Sequence, residues 1–346
     1  MSGKRTTFFI AGLTALLPLH AQDLTVETYT PPQIADTVPP FYPGTALQTG
    51  QEAWVELNFM VDKEGKPFEL MVTESTGSER FSESALNAVQ KWTYEPARRG
   101  GEPIVGSVTT RISFMLGGAT GARSAFANRY RVFARTMEDG NEEEIKSALD
   151  RLVQSGARNH YENAYLGYAR FMYAQKFEDP LTQMRHLLAA LSYTREPDQK
   201  VYLPDEQARY ARIELLRAQV LNNYLAEALQ TYSYFEKKGD EEIVELFKPA
   251  IGSIKALEHS GPAYAIPLTL SPAGSSYVML LKHKVYVQNV VGKVAEFKLR
   301  CTEHYIGFAA EPDVSYDVPD EWGDCTLEII GDAGTTLELV QHSDPV

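Results

Sequence analysis

The run Ala53-Trp54-Val55-Glu56-Leu57-Asn58-Phe59-Met60-Val61 decides how the amino-terminal region folds. Side chains alternate between the two faces of an extended chain, so Ala53, Val55, Leu57, Phe59 and Val61 share one face and predict a half-buried strand. Asp62 to Lys66 is a short polar connection with Gly65 where a positive φ is useful, and Phe68, Leu70 and Val72 repeat the period of two, which predicts a hairpin. Beyond Ser75-Thr76-Gly77-Ser78 the period changes. Phe81, Ala85, Ala88, Val89 and Trp92 fall on one stripe of a helix, with Ser78 placed to cap its start. Pro96 stops the helix, Arg98 to Gly101 turns the chain, and Val108, Thr110, Ile112, Phe114 and Leu116 alternate again. A unit of strand, strand, helix and strand buries one sheet face under one helix. It leaves the last strand as a sheet edge with unpaired backbone groups.

Upstream of this unit, Lys4 and Arg5 precede an apolar run from Phe8 to Leu19 and a small-residue site before Gln22, the pattern of a secretory signal peptide over residues 1–21. The run is shorter than the roughly 20 residues that span a bilayer, so cleavage is expected over retention as an anchor. The chain carries 33 basic and 46 acidic side chains, a formal net charge of −13, which repels phosphate backbones and anionic headgroups; no nucleic acid is expected as a partner.

The quoted residues resemble the TonB carboxy-terminal domain family. The resemblance rests on Tyr42-Pro43 with Ala46, the strand Val55-x-Leu57-x-Phe59-x-Val61-Asp62 with Gly65, and Val72-x-x-Ser75-x-Gly77. It continues through Phe81, Ala85-Leu86-x-Ala88-Val89, Trp92-x-Tyr94-x-Pro96-Ala97 and Gly101-x-Pro103-Ile104. Ala53 departs from a family that often carries Gly there. The resemblance implies a TonB-type ββαβ domain over residues 32–117, in which Tyr42, Pro43, Gly65, Trp92, Tyr94 and Pro96 are structural. It also implies protein binding by strand addition, in which an extended segment of a partner pairs with an exposed sheet edge. The corresponding edge here is Ser107, Thr109, Arg111, Ser113 and Met115, with Thr109, Arg111 and Ser113 offering side chains for selectivity. The segment that follows is the competing cover for that edge. Envelope proteins are the implied partners, TonB-dependent outer-membrane receptors among them. Full TonB transducers carry a membrane anchor and a long Pro-rich spacer, and this sequence shows neither, so binding without energy transduction is expected.

Gly117 to Gly121 reads as a linker, and the composition turns helical over residues 124–260. Ile145, Leu149, Leu152 and Val153 form one stripe, Ala164 to Tyr173 mixes small and aromatic residues, and Pro180, Pro197 and Pro204 punctuate the helices. Leu215, Leu216, Ala218, Tyr224, Ala228, Leu229, Tyr232 and Phe235 resemble the small-large alternation of tetratricopeptide repeats, without a clean period, and predict a solenoid-like scaffold. Residues 262–346 read as short strands between turns: Ile266 to Leu270, Tyr277 to Leu281, Lys284 to Val291, Lys293 to Cys301, Cys325 to Ile330 and Thr336 to Val340. The expected fold class is therefore multidomain α+β, closing with an all-β, sandwich-like domain. Cys301 and Cys325, the two cysteines, fall in inward-facing sets; in an exported chain a disulfide between them is expected over a pair of buried thiols.

Neither a His-Glu-x-x-His helix, a Gly-x-Ser-x-Gly elbow nor a Gly-rich phosphate cradle occurs, so no catalytic residue, metal ligand or cofactor is assigned. The acidic stretch from Glu311 to Asp324 reads as a solvated loop rather than a calcium site. The expected function is a periplasmic protein-interaction protein and not an enzyme. Two alternatives stay open: an energy transducer whose amino-terminal segment remains as an anchor, attaching the chain to the membrane, and a ligand- or glycan-binding protein or hydrolase seated in the β domain.

Overall fold

A computed structural model of the 346-residue chain describes residues 28–117, 121–191 and 200–343. The expected signal peptide, the centre of the Gly117–Gly121 linker and Pro197 lie outside the described residues. The amino-terminal region runs β1 (Tyr29–Thr30), β2 (Gln33–Asp36), α1 (Gly44–Thr49), β3 (Ala53–Val61), β4 (Pro67–Ser75), α2 (Glu79–Val89), β5 (Thr93–Glu95), β6 (Ala97–Arg99), β7 (Glu102–Ile104) and β8 (Gly106–Phe114). Strand β3 is central in an antiparallel sheet of order β4-β3-β8, and α2 packs on one face of it. Ala53, Val55, Leu57, Phe59 and Val61 meet Phe81, Ala85 and Val89 of that helix in one core, each large apolar side chain contributing about 1.5–3 kcal/mol on burial. Ser78 takes the position before the helix but makes no side-chain capping bond.

The expectation of a half-buried strand is corrected. Trp54, Glu56 and Met60, on the opposite face of β3, are 1%, 4% and 0% exposed. Later parts of the chain cover that face. Tyr305 packs edge-on against Phe68, the cross-strand neighbour of Met60, and the Glu52 N–H donates to the Arg158 carbonyl at 2.7 Å.

Among the described residues, seven helices follow: α3 (Ser124–Asp139), α4 (Glu142–Gln154), α5 (His160–Phe177), α6 (Pro180–Ala190), α7 (Asp205–Leu221), α8 (Leu225–Lys238) and α9 (Glu241–His259). Each packs on the next in sequence, and their lengths vary from 11 to 19 residues. Asn141 and Glu144 cap α4 reciprocally, Asn159 caps α5, and Asp179 caps α6 with Pro180 at its first turn. Gly167 lets α5 and α6 approach closely, since a Cβ there would lie 2.6 Å from the Ala190 nitrogen.

The last region forms β9 (Tyr264–Thr269), β10 (Ser275–Met279), β11 (Lys284–Val291), β12 (Val294–Cys301), β13 (Tyr305–Ala309), β14 (Tyr316–Asp317), β15 (Cys325–Gly331) and β16 (Thr336–His342). They build two antiparallel sheets, of order β10-β15-β12-β13 and β14-β11-β16-β9. Ile266, Val287 and Leu339 of one sheet and Phe297, Leu299 and Ile329 of the other share a single core. Cys301 and Cys325 are direct cross-strand neighbours within that core and form a disulfide. Strands β13 and β14 were not expected from the sequence. Tyr316 of β14 packs against Phe297 and Phe308, so its role is visible only in three dimensions.

Candidate functional site

Strand β8 pairs along its length with β3, from Gly106 opposite Val61 to Phe114 opposite Ala53. Backbone groups of successive residues point to opposite sides of a strand. The Ser107 N–H points away from β3, because it donates to the Thr302 carbonyl at 3.1 Å. By the same alternation, the backbone N–H and C=O of Thr109 and Ser113 face outward from the sheet. Both residues are exposed.

The five residues expected to form a partner-binding edge therefore divide. Ser107 is already taken by Thr302, a residue of the last region and not of the segment that follows β8. The Arg111 side chain turns onto the sheet face opposite α2, where a guanidinium N–H donates to Glu56 Oε2 at 3.1 Å and the group lies 4.3 Å above the Trp54 ring. Asn58 Nδ2 donates to Ser107 Oγ and Thr109 Oγ1, each at 3.1 Å, holding those side chains on the same face. Side chains stand perpendicular to a sheet, so residues whose backbone faces the rim do not also project their side chains along it. The expectation that Arg111 offers selectivity at the rim is corrected on that ground. Ser113 stays exposed, and Met115, just beyond the strand, is 55% exposed.

The opposite edge, β4, is closed by side chains of the last region. Its pairing with β3 is interrupted twice, between Glu56 and Leu57 and between Asn58 and Met60, and Glu69 adopts φ 49°. Such bulges re-aim backbone groups out of the ladder. The Tyr277 hydroxyl donates to the Thr73 carbonyl, and the Arg300 guanidinium donates to the Glu69 carbonyl. Lys298 holds the Glu69 carboxylate at 2.8 Å. Burial raises the affinity of that carboxyl for a proton, but Lys298, Tyr305 and Arg300 outweigh it and hold the group below its ordinary range. Arg300 is itself buried and bonds Glu328 through two N–H groups at 3.0 and 2.8 Å. No periodicity marks Tyr277, Lys298, Arg300 or Thr302 as ligands of the first sheet; the charges on an otherwise apolar β12 are the one visible sign.

The six motif residues have structural duties. Tyr42 packs edge-on against Phe81 and Phe114, and its hydroxyl donates to the Gln51 carbonyl at 2.7 Å; burial, then Glu52, pushes its pKa up to about 12. Pro43 precedes α1 as its cap residue. Gly65 has φ 80°, and a Cβ there would lie 1.9 Å from the Tyr94 carbonyl oxygen, so only glycine fits. Tyr94 donates its N–H to the Gly65 carbonyl at 2.9 Å and stacks edge-on against Phe59. Trp92 anchors the amino-terminal approach by donating its indole N–H to the Val38 carbonyl at 2.9 Å. Pro96 separates β5 from β6, so the chain leaves one small sheet and enters another.

Comparison with known proteins places this unit. Residues 38–116 match the family model described as Gram-negative bacterial TonB protein C-terminal. Protein tonB2 of Pseudomonas aeruginosa is 38% identical over 77 residues, 22% of this chain and 28% of that protein. Protein TonB of Vibrio cholerae is 30% identical over 88 residues, 25% of this chain and 36% of that protein. The chain thus spans only 28% and 36% of the length of these curated relatives. The solution NMR structure of the Pseudomonas aeruginosa TonB CTD is 28% identical, covering 25% of this chain and 88% of that one with a TM-score of 0.23. Residues 38–116 of this chain are a member of the TonB carboxy-terminal domain family.

Proposed function

We propose that this chain is a non-catalytic binding protein of the Gram-negative periplasm. Its TonB-type module takes an extended segment of an envelope protein onto the outer rim of β8 between Thr109 and Ser113. One observation carries this reading: the Ser107 N–H is already bonded by a carbonyl from outside the sheet, and of the outward-facing positions beyond it Thr109 and Ser113 are exposed, with the half-buried Arg111 between them. A partner strand would continue the row that Thr302 begins, its backbone hydrogen bonds supplying affinity. Helices α3 to α9 act as a solenoid-like scaffold, and β9 to β16, as a sandwich-like domain, brace the module by closing its other edge. TonB-dependent outer-membrane receptors are the first partners to test, because the relatives are TonB proteins.

The test is Thr109→Pro. Proline removes an outward N–H while leaving the ladder to β3 intact, a substitution that edge strands tolerate. Receptor capture from outer-membrane extracts falls at least tenfold with the far-ultraviolet circular dichroism unchanged. Equal capture by the wild type and by a folded Thr109→Pro chain refutes strand addition at this rim.

A further inference from the structure

The amino-terminal module meets the helical scaffold around one buried histidine. Glu52, just before β3, donates its N–H to the Arg158 carbonyl, and Asn159, which caps α5, donates its side-chain amide to the Gly121 carbonyl at 3.0 Å. His160 follows as the first residue of α5 and is 2% exposed. Its ring stacks on Tyr202, in the segment that leads into α7, with centroids 5.0 Å apart and planes inclined by 20°. Tyr202 in turn meets Tyr161 edge-on and holds the Lys200 ammonium 4.9 Å from its ring centre.

Neither ring nitrogen of His160 has a hydrogen-bond partner among the described residues. A neutral imidazole carries one donor and one acceptor, and burial here leaves both unmade. An imidazolium carries two donors and a full charge, so protonation in place adds a second unmade donor and buries an unpaired cation. Three charged groups face the ring from the elements around it: Glu52 ahead of β3, Arg111 from β8 and Lys200 ahead of α7. Glu52 alone favours the cation, and its Oε1 already accepts the Leu116 N–H at 3.1 Å. Burial, joined by Lys200 and Arg111, outweighs it and holds the ring below the ordinary histidine range.

We propose that His160 is an acid-sensitive latch between the module and the scaffold: the neutral ring stays sealed against Tyr202, and proton uptake is coupled to parting of the contact between Glu52 and Arg158. The sign follows from linkage. The parted junction lets the ring take a proton at the ordinary histidine value of about 6.5, and the closed junction only below it. Closure is therefore fully favoured above that value and weakens as pH falls from it toward the lower, closed-state value. The inference does not rest on strand addition at β8.

The test is amide hydrogen exchange of the full chain at about pH 7.5 and about pH 5, corrected for the intrinsic rate at each pH and read in the peptide that contains Glu52. That peptide exchanges at least tenfold faster at the lower pH, while β11 of the sandwich core keeps its protection. His160→Phe preserves the ring stack and takes up no proton, so its Glu52 peptide is protected equally at both pH values. His186, held at about 4 by burial and then by Arg170 and Arg185, titrates alike in both chains and cancels in the comparison. Should the phenylalanine disturb folding, the wild-type chain decides alone: proton NMR shows the His160 ring titrating in step with the loss of Glu52 protection. Equal protection of the wild-type Glu52 peptide at the two pH values, the same acceleration in a folded His160→Phe chain, or a ring that titrates out of step with the exchange overturns the proposal.

Discussion

The two edges of the three-stranded sheet have opposite fates. Strand β4 is interrupted by bulges, and at each interruption a side chain of the last region takes the displaced carbonyl: Tyr277 at Thr73 and Arg300 at Glu69. Strand β8 is regular over nine residues, approaches β12, and at its start donates the Ser107 N–H to the Thr302 carbonyl of the last region. A regular strand presents evenly spaced backbone groups to any incoming chain, whereas a bulged strand presents them out of register. The difference supports the proposal that one edge braces the module internally and the other exchanges with a partner.

Breaking the braced edge has the largest effect. Arg300→Ala leaves the Glu328 carboxylate buried without its two guanidinium donors, and loss of one partner of a buried pair costs about 3–5 kcal/mol. Guanidinium unfolding should show that loss; a change below about 1 kcal/mol means that Arg300 does not hold β4. Next comes the exchange edge, where the tenfold fall in capture expected of Thr109→Pro corresponds to about 1.4 kcal/mol of binding free energy. Its counterpart Thr110→Pro, whose N–H faces β3, should lower the melting temperature of the module as well, and equal behaviour of the two variants removes the distinction between rim and ladder. Smaller still is Tyr277→Phe, which deletes one hydroxyl bond to Thr73 and should cost about 1 kcal/mol of stability without altering capture.

The smallest expected effect is a pH dependence. The folded chain holds Glu69 below its ordinary carboxyl range, so its contribution to stability is complete above the unfolded pKa. It is lost as pH falls through the lower, folded value, because the unfolded state takes up the proton first. Glu69→Gln should flatten that part of the stability profile, and a variant with the wild-type slope shows that the Lys298 pair is not responsible.

Much of the sheet and helix was legible in the sequence because periods of two and of 3.6 are written in the apolar residues themselves. The alternation from Ala53 to Val61 located β3, and the stripe from Phe81 to Trp92 located α2, although the helix ends at Val89, short of Trp92 and of Pro96, which was expected to stop it. The motif also located Gly65, whose need for glycine is a backbone contact with Tyr94. What could not be read was which residues cover the second face of β3. Trp54 and Met60 interleave with the buried set and already signal a second cover, yet their neighbours Glu56 and Asn58 read as solvent-facing until Arg111 and Ser107 are placed beside them. The division of the β8 rim was illegible for the same reason: Thr302 lies 195 positions beyond Ser107, and no local pattern records a single backbone bond across that separation.

Photo-crosslinking tests the contrast between the two edges most directly. A benzophenone side chain is placed at Thr109, at Ser113 or at Thr73 in the full chain, and the chain is irradiated in intact Gram-negative envelopes. Adducts to envelope proteins from Thr109 and Ser113, with none from Thr73, are the predicted result. Adducts from Thr73 alone, or equal adducts from both edges, contradict the assignment of β8 to partner binding and of β4 to internal bracing.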